Sequence, residues 1–94
     1  MIIVSGKVYV RSGTRQRFLE SSLEAVKQAR EMPGCRDFVV AADPIEADRV
    51  NVYEEWDSEE KLLTFRDSGP DENLTSAILQ AEVSKHVISS SSPA

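Results

Sequence analysis

The hydrophobic period of this chain runs two, 3.6, two, two, 3.6, two, and that order restricts the fold more than any single residue does. Residues 2–10 alternate. Ile2, Val4, Gly6, Val8 and Val10 share one face; Ile3, Ser5, Lys7 and Tyr9 share the other. Gly6 is expected at a close backbone approach or a bulge. Ser12-Gly13-Thr14 reads as a turn, with Ser12 or Thr14 available as a helix cap. The helix extends to about Met32. Phe18, Ser22, Ala25, Ala29 and Met32 form its apolar stripe, widened by Leu19, Leu23 and Val26. Pro33-Gly34 stops it, Gly34 being suited to a left-handed position past the end. Residues 35–42 form a strand with Phe38, Val40 and Ala42 on one face. Residues 43–48 are a hairpin connection, and 49–56 a third strand. Asp57 or Ser58 caps a second helix carrying Leu62, Leu63 and Phe65, which ends before Ser68-Gly69-Pro70. A short helical stretch is expected near 71–79, a last strand over 80–88, and a disordered tail over 89–94.

The resulting β-α-β-β-α-β order is an α+β, ferredoxin-like split βαβ arrangement in a single domain, residues 1–94. Both helices then cover one face of an antiparallel sheet. The other face still carries Ile3, Tyr9, Val39 and either Val52 or Tyr53. Packing two such sheets face to face would cover it, so a homodimer is expected from the sheet itself.

The formal net charge of −5 speaks against nucleic acid as a partner, because that affinity comes largely from Lys and Arg on phosphates. Cys35 is the only cysteine, so no intrachain disulfide and no cysteine metal cluster can form. The apolar start Met1-Ile2-Ile3-Val4 is interrupted by Lys7, too early for a signal sequence or a membrane span. The expected location is cytoplasmic, with no membrane partner.

Three patterns recur in order: Pro33-Gly34-Cys35-x-x-Phe38, then Asp43-Pro44, then Val52-Tyr53-Glu54-Glu55-Trp56-x-Ser58-x-Glu60. Together, from the first strand to about Pro70, they resemble the antibiotic biosynthesis monooxygenase domain family. The resemblance implies a dimeric α/β barrel. It also implies one of several activities: cofactor-independent oxygenation of aromatic polyketides, quinol oxygenation, haem degradation, or sugar-phosphate isomerisation. Two departures stand out. Many relatives carry a Phe-His-x-x-x-Pro-His pattern; here it reads Phe65-Arg66-Asp67-Ser68-Gly69-Pro70-Asp71. Oxygenase relatives place a functional Asn four residues before the Trp, where this chain has Val52. Asn51, five residues before Trp56, points to the other face unless a bulge realigns it.

The candidate substrate-binding residues are Trp56, Tyr53, Arg66, Lys7 and Asn51. Trp56 could stack on a flat ring or fill the sheet–helix junction. Tyr53 could donate to a substrate oxygen. Arg66 or Lys7 could pair an anion. The candidate catalytic residues are His86, the one side chain that ordinarily titrates near neutrality, and Glu55. Glu54 and Glu55 point to opposite faces, and an inward Glu would be the better base. No metal and no cofactor is expected. The implied function is oxygenation of a small hydroquinone-like or polyketide phenol. The alternative is a non-catalytic small-molecule-binding or stress-response dimer; haem degradation would have to rely on His86.

Overall fold

In the computed structural model, residues 1–67 and 76–94 are described. Strand β1 (Ile2–Val10) lies at the middle of a four-stranded sheet of order β2-β3-β1-β4. Helix α1 (Arg15–Glu31) follows it, then β2 (Cys35–Ala42), β3 (Arg49–Trp56), α2 (Glu59–Asp67) and β4 (Ile78–Val87). Every strand pair is antiparallel. This is the ferredoxin-like α+β arrangement.

Alternation in β1 translates directly into burial: Ile2, Val4, Val8 and Val10 are buried under the helices. Two apolar clusters share that layer. One gathers Ile2, Val4, Ala29, Phe38, Trp56 and Leu62; the other gathers Val8, Val10, Phe18 and Val50. Each such aliphatic side chain withdrawn from water contributes about 1.5–3 kcal/mol before chain entropy is set against it.

Gly6 marks a close approach rather than a bulge. Its φ is +154°, and a Cβ there would lie 2.0 Å from the Glu82 carbonyl oxygen on β4. The irregularity in the β1–β4 ladder falls instead between Tyr9 and Val10. Gly34, at φ +88°, takes the left-handed position that ends α1.

Several local expectations change. Thr14 occupies the N-cap position of α1, but its hydroxyl donates to the Arg11 carbonyl at 2.6 Å and caps nothing. Leu23 is 52% exposed, so the apolar stripe of α1 is narrower than its sequence suggests. Ser58 does cap α2, accepting the Lys61 N–H at 3.3 Å. β4 begins at Ile78, two residues early, because Ile78 pairs with Val10. The rest of the expected 71–79 helix, the Ser68-Gly69-Pro70 stop and Asp71 lie largely or wholly outside the described residues.

The β2–β3 connection is held by polar groups. The Arg15 guanidinium donates to the carbonyls of Asp43, Glu46 and Arg49 at 3.1, 2.8 and 3.3 Å. One Asp43 oxygen accepts the backbone N–H groups of Ile45 and Glu46; the other accepts the Asn51 amide at 2.9 Å. The Glu46 N–H, then the Asn51 amide, hold the Asp43 carboxyl down to about 2, against 3.8 for an ordinary aspartate. A depressed carboxylate contributes stability above its unfolded value and loses it as pH falls through the folded one. Melting temperatures of the wild type should therefore decline between about pH 4 and pH 2. An Asp43→Asn variant melts lower at neutrality and shows a shallower decline across that window.

Candidate functional site

β3 ends at Trp56, and strand parity decides what stands beside it. Val50, Val52, Glu54 and Trp56 face the helices; Arg49, Asn51, Tyr53 and Glu55 face away. Trp56 has 0% of its surface exposed. Its indole N–H donates to Glu54 Oε1 at 3.0 Å. The Phe65 ring of α2 lies 5.4 Å from the Trp56 ring, tilted by 31°, and meets Phe38 edge-on at 5.5 Å and 68°. Aromatic contacts of this kind add about 0.5–1.5 kcal/mol each beyond area burial. Phe65 also lines a cleft of about 340 Å³, shared with Gln28, Glu31 and Met32 from the end of α1.

Glu54 is the inward carboxylate. Its burial pushes its pKa up; the Trp56 N–H bond and the field of Arg66 pull the other way without cancelling that rise. Cys35, at the start of β2, feels the same surroundings. Burial first and the Glu54 carboxylate second raise its thiol. A carboxylate, an aromatic wall and a guanidinium at the rim thus share one end of the helix-covered face.

Of the seven residues singled out from sequence, Trp56 and Arg66 belong to this end. The other five stand on the opposite face of the sheet. Glu55 is there, so the inward glutamate is its neighbour Glu54, two residues before Trp56 and therefore on the same side. Asn51 is also there: β3 has no bulge in its pairing with β1, and the Asn51 side chain bonds Asp43 and Arg49. Tyr53, not Val52, joins Ile3 and Val39 on that face; burial, then Glu55, raises its phenol. Lys7 pairs with Glu82 at 3.6 Å. His86 lies opposite Ile3 and is exposed. The one imidazole of the chain is thus remote from the aromatic wall, and it does not fit the part of a haem ligand there. Among the described residues no three His, Cys, Asp or Glu side chains converge as a metal site. The parity that joins Glu54 to Trp56 was legible in the strand; the missing signal was which face the helices cover.

The model of the antibiotic biosynthesis monooxygenase family matches residues 1–71, which include β1, α1, β2, β3, Trp56 and α2. The chain belongs to that family. β4 lies beyond the matched segment. A solved candidate antibiotic biosynthesis monooxygenase from Chloroflexus aurantiacus is 25% identical, with a TM-score of 0.78, over 98% of this chain and 96% of that one. A candidate family member from Deinococcus radiodurans superposes with a TM-score of 0.81 at 14% identity, over 100% of this chain and 98% of that one. A conserved Methanosarcina mazei protein gives 0.79 at 20% identity, over 90% and 89%. The latter two likenesses speak for the fold alone. No curated protein matches the chain. No described helix is long and apolar enough to cross a membrane.

Proposed function

We propose that this family member is a cofactor-independent monooxygenase of a small hydroquinone-like or polyketide phenol. The observation that carries the reading is the half-buried Glu54 carboxylate, bonded to Trp56 beside an aromatic wall and within the field of Arg66. Glu54 takes the proton from the substrate, and burial suits it to that task because a raised pKa makes it the stronger base. Phe65, backed by the buried Trp56 ring, offers an apolar wall that excludes water from the resulting anion. Arg66 balances its charge. The electron-rich anion itself supplies the electrons to dioxygen. One oxygen atom enters the ring carbon as a carbonyl, and the other leaves as water with the two hydrogens removed. The protein works as a homodimer joined through the sheet face that carries Ile3, Val39 and Tyr53, in a reducing, cytoplasmic setting.

A second reading has its own support. Trp56 is wholly covered by its neighbours, as in a scaffold that binds a small molecule without transforming it. Oxygen uptake separates the two. Purified protein is assayed without added cofactor against a panel of hydroquinones and anthrones, beside Trp56→Phe and Arg66→Ala variants. The oxygenase reading expects uptake above autoxidation, falling roughly ten- to hundred-fold in Arg66→Ala. Uptake equal to background for every compound sinks it and leaves the binding dimer.

A further inference from the structure

The last turn of α1 meets the aromatic wall with charge of one sign. Gln28, Glu31 and Met32 stand three and four residues apart, so the helix presents them together to the cleft. Phe65 closes the cleft from α2, with the buried Trp56 ring behind it. The volume of about 340 Å³ stands at the small end of ordinary small-molecule sites, which run from roughly 300 to 1,000 Å³. It has room for one substituted ring. The apolar lining is a phenyl ring and a thioether, both suited to a flat aromatic. The polar lining is an amide and a carboxylate, and no cation is among the lining residues.

Neighbouring cations leave the Glu31 carboxylate open. Lys27 stands one turn before it, yet among the described residues the two form no ion pair. Arg30 is drawn across to β2, where its Nε donates to the Phe38 carbonyl at 2.8 Å. On α2, the Lys61 side chain lies over Gly34, and Arg66 acts on Glu54. The helix adds to the negative field. α1 runs 17 residues, and this end is its negative pole. Pro33 has no N–H to offer the Ala29 carbonyl, which accepts the Met32 N–H at 3.0 Å instead. The Gln28 carbonyl thus goes without its regular helical donor.

We infer that this cleft binds an aromatic ring bearing a protonated amine, the ring against Phe65 and Met32 and the ammonium held by Glu31 at the end of α1. The inference rests on the reading above in taking Phe65 as the ring-binding wall, and it narrows the substrate to an amine-bearing phenol. A carboxylated phenol of the same size sets its charge against both Glu31 and the helix end.

The test uses three probes with one ring and three charges: tyramine, para-ethylphenol and para-hydroxyphenylpropionate. Dissociation constants come from amide chemical-shift titrations at neutral pH and low salt, which also show where each probe lies. Tyramine is expected to bind about three- to ten-fold tighter than para-ethylphenol, and the propionate weaker than either. The shifts gather at the end of α1 and around Phe65. Glu31→Gln removes most of the preference, and Glu31→Lys inverts the order. Glu31 is exposed, so both variants should melt with the wild type. Equal constants for the three probes, a preference that Glu31→Gln leaves intact, or shifts that gather elsewhere overturn the inference. So does a failure of tyramine to saturate the protein at millimolar concentration. Oxygen uptake is read separately. Background uptake beside tyramine-selective binding removes the oxygenase reading and leaves the inference standing. Uptake on neutral hydroquinones, with no charge preference in binding, does the reverse.

Discussion

A Glu54→Gln variant should lose about 10²- to 10⁴-fold of the oxygen uptake that the wild type shows on its best phenol, the range ordinarily lost with a positioned general base. The amide keeps an oxygen for the Trp56 N–H, so the fold should survive the change. The pH profile gives the stricter reading. Wild-type uptake should rise with pH through the Glu54 pKa, which burial holds above that of an ordinary glutamate. The variant should lose that limb. Stability moves with the opposite sign. A carboxyl whose pKa is raised by folding stabilises the native state when protonated, and that contribution is lost as pH rises through the folded value. Glu54→Gln should therefore melt above the wild type at neutral pH and level with it in acid. A variant that keeps full uptake removes Glu54 from the chemistry.

The second large effect belongs to β1. A Gly6→Ala variant places a methyl group 2.0 Å from the Glu82 carbonyl oxygen and 2.7 Å from the Val83 Cα, both backbone atoms of β4. No side-chain rotation can relieve such a contact, and the φ of +154° is unfavourable for alanine besides. Either β4 separates from β1 or β1 bends. The cost should be about 3 kcal/mol or more, lowering the melting temperature by roughly 15 °C. Amide exchange should show where the damage falls: protection lost along β4, but kept between β2 and β3. A variant as stable as the wild type would mean that the two strands lie farther apart than they stand here.

Those two residues also show what the chain disclosed in advance. Gly6 interrupts an otherwise apolar face, and a strand glycine on a packed face points to close backbone contact. Gly34 after Pro33 announced the end of α1. The parity of Asn51 against Trp56 was legible too, and it correctly separated them. Choosing between Glu54 and Glu55 needed one more fact, the face on which the helices lie. That fact depends on how Val50 and Leu62 pack, not on β3 alone. Thr14 looked like a cap, but its hydroxyl found the Arg11 carbonyl, a local competitor that sequence spacing does not rank. Arg15 was silent in the sequence. Its three carbonyl acceptors come from a connection some thirty residues away and exist only once α1 lies beside it.

Trp56 and His86 are the only indole and the only imidazole of the chain, and the sheet lies between them. Each is therefore a private spectroscopic reporter. A small molecule entering beside Phe65 alters indole emission and leaves the imidazole proton resonance where it was. A second copy closing on the far face shifts the imidazole resonance and leaves the emission largely unchanged. Ligand capture and self-association can thus be titrated in one unlabelled sample, without a tag or a substitution.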